Sequence, residues 1–348
     1  MKKKILFGLL SVLLTVGAIG GIWVKNGLDR LHEPAEIADA FLFTVERGAS
    51  FTSVAHQLEE AGVVDHGRWL RLHARLNGLG RSLKTGTYEN TPGMAPLDVV
   101  NMIATGQTKS WPIRLIEGWT FRDVRNELAQ HKHLQHTIQD LSGEEVMAKL
   151  GDTETHPEGM FFPDTYRYEA NETDLQILQR AYDRLQAVLA EEWAQRSEGL
   201  PYETPYEALI MASLVEKETG VVEERPEIAG VFVRRLDRGM RLQTDPTIIY
   251  GLGESYTGNL TRKHLLTDGE YNTYRRDGLT PTPIALAGRE AIHAALHPAE
   301  GDALFFVARG DGSHVFSSTL AEHQAAVQKF QIDARREDYR SSPGPGSR

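Results

Sequence analysis

The sequence predicts an α+β protein with a single N-terminal transmembrane helix, small βααβ modules and a larger C-terminal α+β domain. Three observations carry that expectation. An uncharged run opens the chain, a strand–turn–helix pattern occurs twice at an offset of 70 residues, and the second half contains an apolar helix ending in two acids.

The opening segment is Met1-Lys2-Lys3-Lys4 followed by an uncharged run from Ile5 to Val24. At 1.5 Å rise per residue, that run reaches roughly the 30 Å of a bilayer core. A cleaved signal peptide is the competing reading, and Ala18-Ile19-Gly20 offers a small-residue cleavage site. Its apolar region usually spans only about 7–15 residues, however, and Trp23 followed by Lys25 reads as an interfacial anchor. Lysines precede the run, while Lys25 and Arg30 after it are offset by Asp29 and Glu33. The positive-inside rule therefore keeps residues 1–4 in the cytoplasm, makes 5–24 the span, and puts the rest outside the membrane.

Residues 25–40 are polar and read as a stalk. A strand over 40–45 and a helix over 51–61 capped by Ser50 follow. The same unit returns as a strand over 113–116 and a helix over 121–130 capped by Thr120. Gly48 aligns with Gly118, Phe51 with Phe121, Val54 with Val124 and Leu58 with Leu128. Those apolar matches fall at helical spacing, so both copies bury one face. Between them lie a helix over 69–79, a strand over 86–88 and a helix over 97–105. The pattern divides the chain into a small module over 41–110 and a connecting subdomain over 111–200 that carries the second repeat. A C-terminal domain spans 201–335, and a Ser/Pro/Gly-rich flexible tail spans 336–348.

Composition narrows the chemistry. With 348 residues, 41% of them hydrophobic, the chain is long enough for two or three folding units with real cores. Lys and Arg number 38 against 48 Asp and Glu, a net charge of −10. That balance argues against a nucleic-acid partner, which needs a basic face. The absence of cysteine excludes disulfides, thiolate metal sites and cysteine nucleophiles. Thirteen histidines leave His/carboxylate metal sites formally open, but no His-Glu-x-x-His pattern occurs. His131, His133 and His136 sit in a polar connection and read as solvated. Gly310-Asp-Gly-Ser-His314 lacks the Lys and helix start of a phosphate loop and reads as a hairpin turn between strands 305–308 and 315–317.

The helix over 204–219 is the most informative segment. Thr204 caps it, Pro205 takes the first helical position, Glu207 completes a capping box and Gly220 stops it. Leu209, Ile210, Met211, Ala212, Leu214 and Val215 point nearly all round the axis, so the helix is buried. Its last turn nevertheless carries Glu216 and Glu218. Glu218 is four residues from Leu214 and seven from Met211, sharing a face with large apolar side chains. Glu216 shares its face with Ala212 and Leu209. Desolvation and the negative helix pole both raise the pKa of an acid placed there, which suits a general acid near neutral pH. The alternative is that both acids lie past the core and pair with Lys217 or Arg225. Two further clusters, Gln243-Thr-Asp-Pro246 and Tyr271-Asn-Thr-Tyr274, offer the amides, hydroxyls and rings that grip sugars. Alternatively, the tyrosines are core and the polar groups satisfy turns.

Leu214-Val-Glu-Lys-Glu-Thr-Gly220 closely resembles the signature of the YceG-like family, endolytic murein transglycosylases of bacterial inner membranes. The similarity extends to Glu158-Gly-Met-Phe-Phe-Pro-Asp-Thr-Tyr166, Met240-Arg-Leu-Gln-Thr-Asp-Pro-Thr-Ile-Ile-Tyr-Gly251, Tyr271-Asn-Thr-Tyr274 through Gly278-Leu-Thr-Pro-Thr-Pro-Ile284, and Phe305-Phe-Val-Ala-Arg-Gly-Asp-Gly-Ser-His314. Residues 41–110 resemble LysM modules, which bind glycan chains; a packing module without ligand is the alternative. The resemblance implies that 201–335 is the catalytic domain and that Glu218 is the catalytic acid/base. It implies peptidoglycan glycan strands as substrate, 1,6-anhydro-muramic ends as product, termination of strand growth as the role, and neither metal nor cofactor. Gln243, Thr244, Asp245, Tyr271, Asn272 and Tyr274, with Glu216, are then the candidate substrate-binding residues. Asp245 is also the candidate for a second carboxylate, although the resemblance implies a single acid. The expected partners are peptidoglycan synthases (penicillin-binding proteins), met from a single-pass inner-membrane anchor with the catalytic portion in the periplasm. Two rival readings remain: a lysozyme-like muramidase with a second carboxylate, and a non-catalytic, membrane-anchored glycan-binding scaffold for the synthases.

Overall fold

The structure, a computed structural model, describes residues 2–79 and 83–333, with side chains from Phe7 onward. The tail expected at 336–348 lies outside the described residues. The chain opens with α1 (Lys2–Asp29), β1 (Phe41–Val45), α2 (Phe51–Glu60), α3 (Gly67–Leu76), β2 (Gly86–Asn90) and α4 (Pro96–Thr105). It continues with β3 (Ser110–Arg114), α5 (Phe121–Gln130), α6 (Gly143–Lys149), β4 (Thr165–Glu169) and α7 (Asp174–Ala194). Next come α8 (Pro205–Glu218), α9 (Arg225–Asp237), α10 (Asp245–Leu252), α11 (Arg262–Leu266) and α12 (Arg289–Leu296). The described chain closes with β5 (Phe305–Ala308), β6 (His314–Ser317) and α13 (Leu320–Val327). The result is a mixed α+β chain. The strands form three two-stranded sheets, β1–β2, β3–β4 and β5–β6. The chain forms two compact units: residues up to Trp111 together with Tyr168–Asn171, and those from Pro112 onward apart from that segment.

In the first unit, β1 and β2 run antiparallel with Phe41 opposite Asn90 and Val45 opposite Gly86. The helices α2, α3 and α4 supply Val54, Leu58, Leu70, Val99 and Ile103 to the core, each nearly fully buried around Tyr88. The end of α1 joins this core. Val24, Leu28 and Leu31 repeat at spacings of four and three, which aligns them on one helix face. Leu31 is fully buried, and the Trp23 ring meets Trp69 edge-on with centroids 4.6 Å apart. Gly27 lies under Trp69, where a Cβ would come within 2.2 Å of the indole. Residues 25–32, expected as part of a stalk, are therefore helical and end in packing. Upstream, the large side chains from Phe7 to Trp23 are at least half exposed. Phe7–His32 is the one described helix long and apolar enough to cross a membrane.

The repeat seen in the sequence is a repeat of local structure. The helices α2 and α5 start and end 70 residues apart. Ser50 and Thr120 cap them through backbone amides of Ser53 and Asp123. Gly48 and Gly118 both adopt positive φ, 83° and 80°, which only glycine takes without strain. Phe51, Val54 and Leu58 are buried on one helix, and Phe121, Val124 and Leu128 on the other.

The second unit is built around α8, which packs against α7, α9, α10 and α12. Every residue from Ala208 to Val215 is buried. A helix apolar on all sides is stable only when enclosed, and four surrounding helices supply the enclosure. Its start carries the expected capping box. The Thr204 hydroxyl accepts from Glu207 N at 3.2 Å, and Glu207 Oε2 accepts from Thr204 N at 3.2 Å. Replacing Thr204 with alanine should cost about 1 kcal/mol. That lowers the melting temperature of this unit by about 2–4 °C, readable in a thermal melt; an unchanged melt would mean the cap is not holding the helix start.

Candidate active site

The two acids at the end of α8 have different surroundings. Glu216 is 5% exposed and accepts from Arg225 at 2.8 Å and from Gly288 N at 3.0 Å. Arg225 is itself 1% exposed, with Glu117 at 3.7 Å and Glu290 at 4.0 Å as further counter-charges. Glu216 thus neutralises a buried cation, the pairing weighed as the alternative for both acids. Glu218 has no such partner. Its Oε1 accepts from the Thr244 hydroxyl, and no cation reaches ion-pair distance among the described residues. Burial pushes its carboxyl up to about 7; the Thr244 bond opposes this, the nearby Asp245 charge adds to it, and Arg235 opposes it. The side chain is only partly enclosed and opens onto a cleft.

The turn opposite Glu218 is held by threonines. Gln243 takes φ 52°, a left-handed conformation that costs a non-glycine residue strain. Gln243 N donates to Thr273 O at 3.2 Å, and Thr244 N donates to the Thr273 hydroxyl at 3.1 Å. The Thr247 hydroxyl contacts the Thr273 hydroxyl at 2.9 Å and donates to Thr244 O at 2.7 Å. These bonds fix the Thr244 hydroxyl against Glu218. Beside it, the Tyr274 hydroxyl donates to Asp245 Oδ1 at 2.7 Å. Burial and that carboxylate raise the Tyr274 phenol far above its ordinary range, so it keeps its proton and remains the donor.

The cleft measures about 1300 Å³. That exceeds the usual few hundred to about 1000 Å³ of a small-molecule pocket and suits a polymer. Gln243, Asp245 and Tyr274 line it with Glu218, and Thr244 touches Glu218 directly. Tyr271, Asn272 and Glu216 do not line it. Tyr271 lies behind Tyr250, with ring centroids 4.8 Å apart, and its hydroxyl pairs with Thr282 at 2.9 Å. Asn272 is 5% exposed and its amide donates to three carbonyls, of His264, Leu265 and Thr267, which shapes a loop. The hairpin β5–β6, expected from the 310–314 turn, forms; its strands contribute Phe305, Phe306 and His314 to the wall.

Two wall residues escaped the sequence reading. Glu158 is 4% exposed; its Oε1 accepts from Phe121 N at 2.8 Å and its Oε2 from the Tyr250 hydroxyl at 3.1 Å. Burial pushes this carboxyl up to about 7, against those hydrogen bonds. Its signals in the sequence are an acid heading the aromatic stretch Gly159-Met-Phe-Phe162 and the family-like block that begins with it, neither of which gave it a role. Arg235 is 7% exposed and donates to the carbonyls of Leu304, Leu242 and Arg241 at 2.7, 2.7 and 3.2 Å. It follows Val231-Phe-Val233 on α9, where nothing distinguishes it from its neighbour Arg234. Away from the cleft, Glu192, His293 and His297 each bring a donor atom within 4.8 Å of the others. Glu192 already accepts from Arg289 at 2.7 Å through Oε1, and its Oε2 contacts His293 Nδ1 at 2.8 Å.

The YceG-like family profile matches residues 43–329. The chain belongs to the YceG-like family. It is 31% identical over 312 residues to the endolytic murein transglycosylase of Bacillus subtilis, an alignment covering 82% of this chain and 83% of that protein. The endolytic murein transglycosylase of Streptococcus pneumoniae strain D39 is 26% identical over 320 residues; the alignment covers 81% of this chain and 57% of that longer protein. Among solved structures of the family, a yceG-like protein from Listeria monocytogenes matches with a TM-score of 0.53 at 28% identity, covering 82% of this chain and 98% of that one.

Two stability experiments follow from the site. Glu216→Gln leaves the buried Arg225 short of charge and should destabilise the protein by on the order of 3 kcal/mol; an unchanged melt would show that Glu117 and Glu290 suffice. Glu158→Gln should do the opposite at alkaline pH. A carboxyl raised to about 7 binds its proton more tightly in the folded than in the unfolded state. The stabilisation from that proton is complete below pH 4.5 and lost as pH rises through 7. The variant should therefore melt higher than the wild type at pH 8, by as much as about 3 kcal/mol, and equally at pH 4. A variant that melts lower at both pH values would show that the hydrogen bonds outweigh burial.

Proposed function

We propose that this chain is an endolytic murein transglycosylase that cuts peptidoglycan glycan strands between N-acetylmuramic acid and N-acetylglucosamine. The observation that carries the reading is Glu218, a carboxyl raised to about 7 with no counter-ion, set in an open cleft of polymer dimensions. Protonated at neutral pH, Glu218 gives its proton to the glycosidic oxygen as the C1–O bond breaks. The carboxylate left behind then takes the proton of the muramic C6 hydroxyl, whose oxygen attacks C1 and closes a 1,6-anhydro ring. The proton returns to Glu218 and no water is consumed. Ring closure is intramolecular, and well-oriented pairs of this kind reach effective molarities on the order of 10⁵ M or more. Thr244 holds the carboxyl in place, and Gln243, Asp245 and Tyr274 are the nearest candidates for sugar contacts. Tyr271, Asn272 and Glu216 support the site from behind it.

In the same reading, 201–335 is the catalytic domain, 111–200 connects it, and 41–110 is a LysM-like glycan-holding module. The β1–α2–α3–β2 order supports that last assignment. The apolar part of α1 anchors the chain in the inner membrane, with residues 1–4 cytoplasmic and the cleft in the periplasm. There nascent strands emerge from peptidoglycan synthases, and cutting them ends their growth. The muramidase alternative draws support from Asp245 and Glu158, two further carboxyls on the cleft wall.

Digestion of uncrosslinked glycan strands separates these readings. The new ends should be 1,6-anhydro-muramic acid, about 18 Da lighter than hydrolytic ends for loss of one water. Reducing ends that take up ¹⁸O from labelled water would establish the muramidase instead. Glu218→Gln should lower turnover by at least about 10²-fold, and kcat/KM of the wild type should fall as pH rises through about 7, where the acid form is lost. A flat profile from pH 6 to 9 would remove Glu218 from the role of acid. For the anchor, the protein should stay in the membrane pellet; a soluble form starting near Gly21 would mean that the first helix is processed away.

A further inference from the structure

Glu218 is followed within six residues by a second carboxylate that faces the cleft through another side chain. Glu224 closes the short 3-10 turn after α8 and binds His314, the first residue of β6, at two points. Its Oε1 accepts from His314 N at 2.9 Å, and its Oε2 lies 2.8 Å from His314 Nδ1. The Thr219 hydroxyl, on the residue next to Glu218, donates to the same Oε2 at 3.5 Å. The His314 ring is 4% exposed and stands edge-on to Phe306, with centroids 5.5 Å apart. Both rings line the cleft that holds Glu218.

A carboxylate only accepts, so Nδ1 carries a proton and donates it to Glu224. In the neutral ring this leaves the Nε2 lone pair as an acceptor. Nε2 has no hydrogen-bond partner among the described residues, yet it is not one of their enclosed, unpartnered nitrogens. Because His314 lines the cleft, this is the ring nitrogen left to meet a ligand there. A ring locked at two points by a carboxylate, wedged against an aromatic, with one free nitrogen facing a binding cleft, is arranged to meet a ligand.

We propose that His314 Nε2 contacts the substrate, accepting a hydrogen bond from a hydroxyl or acetamido N–H of the glycan strand, with Glu224 as the residue that positions it. This rests on the glycan-cutting reading above. Glu224 thereby links the turn that follows the acid-bearing helix to the hairpin that lines the cleft.

The test uses the full chain in detergent with uncrosslinked glycan strands. His314→Phe keeps the ring against Phe306 and removes both nitrogens. Loss of one hydrogen bond to a bound strand should raise KM about tenfold while kcat changes less. A folded His314→Phe protein with wild-type KM would overturn the contact. Because the substitution also strands Glu224, a second measurement leaves the wild-type ring in place. In protein carrying Glu218→Gln and ¹⁵N-labelled histidine, the His314 Nε2 resonance should be of the unprotonated type and should shift when strands are added. A protonated Nε2, or a resonance that strands do not move, would overturn the proposal even if the phenylalanine variant fails to fold. Failure of the underlying reading looks different: the wild-type protein itself would release no fragments from the strands.

Discussion

The ion pair between Glu216 and Arg225 decides what the end of α8 can do. One guanidinium, 1% exposed, lies near a helix terminus that carries two carboxylates two residues apart. A buried cation needs a counter-charge, and the geometry gives it Glu216, with Glu117 and Glu290 behind. Because Arg225 is taken, Glu218 is left with a neutral hydroxyl as its hydrogen-bond partner, and desolvation raises its pKa without a cation to pull it back. Were the guanidinium placed on Glu218 instead, the same residue would stay ionised at neutral pH and could not act as an acid. The last turn of α8 thus sorts two similar side chains into a partner for a buried cation and a carboxyl with a raised pKa.

Interlocking hydrogen bonds fix the surroundings of that carboxyl. Ser213, in the buried middle of α8, donates to Ile210 O at 2.7 Å and accepts from Ile284 N at 3.0 Å, which ties the 284–288 segment to the helix. Gly288 then donates to Glu216. On the other side, the interlocked hydroxyls of Thr244, Thr247 and Thr273 support a backbone strained at Gln243. Strain of this kind persists only where surrounding bonds over-determine the conformation, and it is a common feature of sites where a side chain must be aimed. Glu158 adds a second protonatable carboxyl to the wall, held by one amide and one phenol. The cleft wall therefore holds its polar groups in a few fixed positions beside apolar residues such as Ile249, Phe305 and Phe306.

Local sequence signals were sufficient wherever the determining forces are local. Caps, positive-φ glycines and 3.6-residue periodicity act within a few residues, so α2, α5 and α8, the hairpin β5–β6 and the 70-residue repeat were all legible with near-correct ends. Helical spacing put Glu218 on the face of Leu214 and Met211, but the pairing of Glu216 with Arg225 that distinguishes the two acids was not in that pattern. The end of α1 was missed because Val24, Leu28 and Leu31 look like sparse apolar residues in a polar stretch until Trp69 arrives to cover them.

What the chain could not disclose by itself is which distant groups meet. Arg225 choosing Glu216, Thr244 reaching Glu218, Glu158 meeting Tyr250 across ninety-two residues and Glu224 meeting His314 across ninety are all outcomes of packing. Sequence offered Gln243-Thr-Asp and Tyr271-Asn-Thr-Tyr274 either as sugar contacts or as core rings and turn partners. Only the fold separates Gln243, Asp245 and Tyr274 on the cleft wall from Tyr271 and Asn272 behind it. The division has a physical origin. Backbone preference and amphipathic pattern are properties of short segments, whereas a pKa, an ion pair or a long-range hydrogen bond depends on the dielectric and on groups brought near by the folded chain.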